Sequence, residues 1–132
     1  MGVVNNICAL MIAVSMAVCL TSVANAAQGT ATFYTPPYVP SSCYGYETNG
    51  LMIAATSDAI WGNRTACGTN YNVNCIGATN KGVPPCWGTS VVVKIVDYCQ
   101  IGCQGTINLS QEAFSAIANP DAGKIIIEYT KV

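Results

Sequence analysis

The chain has 132 residues, with five Lys or Arg, six Asp or Glu, no histidine and a formal net charge of −1. So sparse and balanced a charge argues against nucleic-acid binding, which rests on clustered Lys and Arg. The missing histidine excludes most metal sites, any triad with a histidine base and any histidine-based pH switch.

Residues 1–26 read as a signal peptide. Residues 7–23 are almost wholly apolar, and Ala24-Asn25-Ala26 has the small-x-small pattern of a signal peptidase site. Cleavage there starts the mature chain at Ala27 or Gln28. A signal anchor is the rival reading. The apolar run barely reaches the roughly 20 residues that span a bilayer, and no basic flank holds it. Met1-Gly2 opens like a myristoylation site, but Asn6 stands where Ser or Thr is wanted. Residues 27–132 then form one small domain, secreted and without membrane attachment.

Of eight cysteines, Cys8 and Cys19 leave with the signal. Cys43, Cys67, Cys75, Cys86, Cys99 and Cys103 stay, and an even set in a small secreted domain means disulfides. Six cysteines allow about 15 pairings, which the residues leave open, although Cys99 and Cys103 face each other across a short loop containing Gly102. Zinc is the rival, set aside by the export signal and the lack of histidine. No cofactor is expected.

The elements follow in order. Residues 29–34 (GTATFY) predict a strand ended by Pro36-Pro37, and residues 38–49 a polar loop. Residues 51–55 predict a short strand. Residues 57–61 predict one helical turn, capped by Ser57 or Asp58 and stopped by Gly62-Asn63. Tyr71, Val73 and Cys75 alternate with Asn70, Asn72 and Asn74, the pattern of a half-buried strand. Residues 78–88 are a loop. Residues 91–97 (VVVKIVD) predict a strand buried on both faces, with Asp97 at its end. Residues 106–109 are a short extended piece. Ser110 then caps a helix whose first turn carries Glu112 and whose Phe114, Ile117 and Ala118 face inward. Pro120 ends it, and residues 124–130 form the last strand. Six short strands, few helices and three staples point to a mainly β fold, a closed barrel without sheet edges.

Asp97 has two readings, a catalytic carboxylate at the mouth of a strand or a cap for nearby backbone amides. Trp61 and Trp87 read as sugar-stacking rings or as ordinary packing. Two sequons occur. Asn63-Arg64-Thr65 lies in a polar turn, which makes Asn63 the glycosylation candidate. Asn108-Leu109-Ser110 begins inside the central stretch, where access is poor.

GTATFY at residues 29–34, SCYG around Cys43, ACG at Cys67, IVDYC at Asp97 and LSQEAFSAIA from Leu109 together resemble the expansin superfamily. Within it the chain is most similar to the single-domain branch of plant natriuretic peptides and family-45-endoglucanase-like domain proteins. The resemblance covers nearly the whole mature chain. It implies a six-stranded double-psi β-barrel, pairings Cys43–Cys67, Cys75–Cys86 and Cys99–Cys103, secretion to the plant apoplast and a systemic role in water and solute homeostasis. In the related endoglucanases two aspartates flank the sugar chain as base and acid. Asp97 matches the first and Asn108 occupies the position of the second. Thr32 and Tyr34 match groove residues. Thr106 stands where a histidine often precedes the second aspartate. Thr32 and Asp97 have a second reading, as hydrogen-bond partners of each other at the barrel mouth. An amide does not titrate, so a non-catalytic protein with a vestigial groove is expected. The alternatives are a polysaccharide-active enzyme working with one carboxylate and a glycan-binding defence protein. The partners expected for a monomer of this kind are a cell-wall polysaccharide or a cell-surface receptor.

Overall fold

The structure is a computed structural model that describes residues 25–80, 82–100 and 103–132. The signal peptide read from residues 1–26 falls, apart from Asn25 and Ala26, outside the described residues, as does Gly102. The elements are β1 (Ala27–Tyr34), β2 (Ile53–Thr56), α1 (Asp58–Trp61), β3 (Asn70–Ala78), β4 (Ser90–Tyr98), β5 (Ile107–Ser110), α2 (Gln111–Ile117), a 3-10 turn (Pro120–Ala122) and β6 (Ile125–Lys131).

The six strands close into a barrel in the order β1-β5-β2-β4-β3-β6. β1 pairs β5 in parallel, β2 pairs β4 in parallel, and the other contacts are antiparallel. Every strand has two neighbours, so no ladder edge is left open. Alternation along each strand sends Ala31, Val73, Val93, Ile95, Ile107, Leu109, Ile125 and Ile127 inward, all fully buried. Phe114 and Ile117 of α2 are fully buried in the same cluster. Ser110 starts α2 by accepting a hydrogen bond from the Ala113 amide, and its hydroxyl donates to the Leu51 carbonyl.

Three details differ from the sequence expectations. β4 is not buried on both faces, because a barrel strand has one inward side; Val92 is 50% exposed. β2 begins at Ile53 rather than Leu51, since Leu51 and Met52 stay exposed ahead of the ladder. Ser57 stands at the N-cap of α1 but its side chain makes no capping bond. Its hydroxyl donates instead to the Thr106 carbonyl, tying the turn to the lead-in of β5.

The disulfides are Cys43–Cys67, Cys75–Cys86 and Cys99–Cys103, the pairings that the resemblance implied. The first ties the loop after β1 to the segment before β3. The second ties β3 to the loop before β4. The third closes the connection between β4 and β5. Each shortens a loop of the unfolded chain, which typically contributes about 2–4 kcal/mol.

The burial pattern sets the cost of truncation. Phe114→Ala should destabilise by about 3–5 kcal/mol in chemical denaturation, as a filled core site becomes a cavity. Val92→Ala should stay within about 0.5 kcal/mol, as for surface changes generally. Similar costs for the two would contradict the barrel's inside–outside assignment.

Candidate functional site

The barrel register builds one row across four strands. Thr32 of β1 pairs Asn108 of β5, Asn108 pairs Ala55 of β2, and Ala55 pairs Asp97 of β4. Residues opposite one another in a ladder share a face. Ile107 and Leu109 point into the core, so this row is on the outer side. Neighbouring strands lie about 4.8 Å apart, so Asn108 and Asp97 are about 10 Å apart across β2. That is a backbone separation; inverting glycoside hydrolases hold their two carboxyl groups roughly 6.5–9.5 Å apart. Ala55, with only a methyl group, forms the floor between them.

The side chains are held individually. The Thr32 hydroxyl donates to Asn108 Oδ1 at 2.9 Å. Asp97 Oδ1 accepts from the Ser42 amide at 2.8 Å and the Tyr98 amide at 2.9 Å. The mutual Thr32–Asp97 hydrogen bond is therefore absent: the two are separated by β5 and β2, and each has found a nearer partner. Asp97 has the amide-capping role, and it holds the loop after β1 against β4. Gly105 explains how the Thr32 pair forms. A Cβ there would meet the Thr30 carbonyl, the Thr32 amide and the Thr32 hydroxyl, each at 3.2 Å. A glycine eases the close approach of the lead-in of β5 to β1, since a Cβ at these distances would make its neighbours give way.

Tyr34 lies beside this row. Its hydroxyl is buried and has no hydrogen-bond partner among the described residues. Burial, then the charge of Asp97, then Tyr38, push its phenol well above the ordinary tyrosine value. The Tyr38 ring meets Tyr34 edge-on with centroids 5.1 Å apart. The Tyr38 hydroxyl donates to Glu112 Oε2 and accepts from the Gln111 amide. Burial, and then the bond to Glu112, raise its phenol to about 12. The same bond holds the Glu112 carboxyl below its ordinary value. Sequence reasoning missed Tyr38 and Glu112 as partners. The run of tyrosines at positions 34, 38, 44 and 46 is the available signal, and reading the segment as a polar loop hides it.

A pocket of about 370 Å³ opens beneath that loop. Pro37, Tyr38, Val39, Leu51, Ile53 and Val96 give it mostly apolar walls. Lys94 fixes the loop from below, donating to Asn49 Oδ1 at 2.8 Å and sitting 4.5 Å from the Tyr44 ring centre. Beyond Asp97, Tyr98 stacks on half-buried Trp61 at 5.1 Å and donates to Asp58 Oδ1. Trp87 lies elsewhere, 55% exposed, with its indole N–H on the Ser115 carbonyl. Asn63 is exposed beyond α1. The six cysteines frame the site without entering the row. Among the described residues, no group of His, Cys, Asp or Glu is arranged to hold a metal.

A family model described as lytic transglycolase matches residues 53–129. The chain is 61% identical over 124 residues to an EG45-like domain containing protein of Citrus jambhiri, across 92% of this chain and 95% of that protein. The chain belongs to the EG45-like domain family. A second member, EG45-like domain containing protein 2 of Arabidopsis thaliana, is 46% identical over 113 residues, 86% of each chain. A mutant of Clavibacter michiganensis expansin, solved in complex with cellohexaose, superposes with a TM-score of 0.64 at 29% identity. It is covered over 50% of its length by 82% of this chain. This EG45-like chain thus falls in the expansin superfamily, and its closed six-stranded barrel is the double-psi barrel of those neighbours.

The Tyr38–Glu112 pair makes stability depend on pH at both extremes. A phenol raised in the folded state contributes stability that is whole below its unfolded value of 10.0 and is lost as pH rises toward about 12. A depressed carboxyl contributes stability that is whole above its ordinary value of 4.5 and is lost as pH falls through the folded one. The urea midpoint of the natural protein should exceed that of Tyr38→Phe by a constant margin at neutral pH. The margin should shrink in both outer windows. A level margin throughout would mean that the pair is not coupled.

Proposed function

We propose that this protein is a secreted, non-catalytic cell-wall protein that binds a neutral polysaccharide chain along the row from Thr32 to Asp97. On this reading residues 1–26 are removed on export and residues 27–132 are the mature domain. The observation that carries it is the pairing of Asn108 and Asp97 on either side of Ala55. Asp97 can accept a proton or a hydrogen bond. Asn108 can offer N–H donors, because Thr32 occupies its carbonyl oxygen, but it cannot release a proton to a leaving group. Inverting hydrolysis needs both carboxyls, and loss of one acid–base partner typically costs about 10²–10⁴-fold. The donor and acceptor suit sugar hydroxyls, and the Asp97 charge disfavours uronate chains. The cellohexaose held by the Clavibacter expansin mutant supports a glucan as occupant. Low charge, three disulfides and the family resemblance support residence in the apoplast. The resemblance also supports a systemic role in water and solute homeostasis, exerted through the wall or a cell-surface receptor.

The match to a family described as lytic transglycolase favours a second reading, a glycan-active enzyme that works with the single carboxyl Asp97. One experiment separates the two. The natural protein, Asp97→Ala, Asn108→Asp and the double variant are assayed for cellohexaose binding by calorimetry and for cleavage of soluble glucans. We expect the natural protein to bind without cleaving, and Asp97→Ala to bind more weakly. Asn108→Asp restores the second carboxyl at nearly equal volume, so any cleavage it gains should vanish in the double variant. Clear cleavage by the natural protein, lost in Asp97→Ala, would establish the one-carboxyl enzyme instead.

A further inference from the structure

Of the two Asn-x-Ser/Thr triplets, the fold leaves only one open, and the two differ in every relevant respect. Asn108 is a strand residue, paired with β1 on one side and with β2 on the other. Its side-chain oxygen is held by Thr32, and two residues on, the Ser110 hydroxyl is fully buried between the Leu51 carbonyl and the Ala113 amide. An oligosaccharide on Asn108 would break the Thr32 bond and stand in the row between β1 and β2. A chain so modified could not close this barrel without losing that contact.

Asn63 has the opposite setting. Gly62, Asn63 and Arg64 follow α1 with φ of 55°, 53° and 74°, three consecutive left-handed residues. Asparagine tolerates that conformation far better than most side chains. Residues 62–65 are all exposed. Among the described residues, the Asn63 side chain makes no hydrogen bond and packs on nothing that the core needs. The turn is kept in shape from within, by Thr65 N–H donating to the Gly62 carbonyl and Ala66 N–H donating to the Trp61 carbonyl. It is pinned from behind by the Cys43–Cys67 disulfide. A bulky group on the Asn63 amide therefore displaces water and nothing else.

We infer that Asn63 is the N-glycosylation site of this protein and that Asn108 is carried unmodified. The co-reactant is a lipid-pyrophosphate-linked oligosaccharide of the secretory route. The Asn63 amide nitrogen bonds to C1 of its first sugar, the C1–oxygen bond to pyrophosphate breaks, the lipid pyrophosphate leaves with the electron pair, and the amide gives up one proton. The glycan then stands two residues from Trp61, whose ring stacks on Tyr98, the chain neighbour of Asp97.

This inference rests on the secretion reading, and the test separates the two. The full 132-residue chain is expressed in plant cells, and both medium and cell extract are mapped by peptide mass spectrometry. A glycosidase that leaves aspartate marks each occupied site. We expect the secreted chain to begin at Ala27 or Gln28, to carry glycan on Asn63 and to show an unmodified peptide at Asn108. Asn63→Gln and Thr65→Ala should each remove the glycan and leave a secreted protein with unchanged far-ultraviolet circular dichroism. A secreted, processed chain with bare Asn63, or with glycan on Asn108, would overturn this inference alone. A chain kept in the cells with residues 1–26 attached would overturn the secretion reading and this one with it.

Discussion

The structure depends on β2, four residues that hydrogen-bond on both sides. Ile53, Ala54, Ala55 and Thr56 are all buried, with β4 running parallel on one flank and β5 antiparallel on the other. Backbone groups so enclosed must find their partners in the ladder, because no water reaches them. Satisfying both flanks fixes the registers of β4 and β5 relative to each other, although those two strands never touch. The separation of Asp97 and Asn108 is thus a property of β2's backbone rather than of either side chain. The register shift between Ala54 and Ala55 is what brings Asp97 level with Ala55.

This separates scaffold from chemistry. The barrel sets Asn108 and Asp97 on either side of Ala55, and one of the two groups is an amide. Asparagine preserves size and hydrogen bonding, so Thr32 still has its acceptor and β1 still docks on β5. What changes is the ability to move a proton. A row built in this way resembles the preorganised half of an active site, with polar groups already aimed and no reorganisation left for a ligand to drive.

Much of the fold was legible in the sequence because the apolar alternation is strong and the punctuation clear. Ser110 and Glu112 announced α2, Val73 and Cys75 announced β3, and the run after Ser90 announced β4. The errors have a common cause. Val92 looked interior because composition cannot distinguish a parallel-sheet strand covered on both faces from a barrel strand covered on one. Of the candidate site, Asp97 was read from its place at a strand end, and Asn108, Thr32 and Tyr34 came from the family resemblance. Their partnerships were not, because register is a long-range property. Thr32 and Asn108 are 76 positions apart, and Ser42 and Asp97 are 55 apart. Tyr38 and Glu112 went unread as a pair for the same reason.

The scarcity of charge bears on how the protein meets its partners. With a net charge of −1, the long-range field of the whole chain is weak, and the charge of Asp97, one oxygen of which accepts from two backbone amides, acts locally. Encounter is then governed by diffusion and orientation, in the range of roughly 10⁵–10⁶ M⁻¹s⁻¹ typical of neutral pairs. Ionic strength has little to screen. On the reading proposed above, a matrix crowded with fixed polyanions would then neither trap nor repel the protein through its net charge.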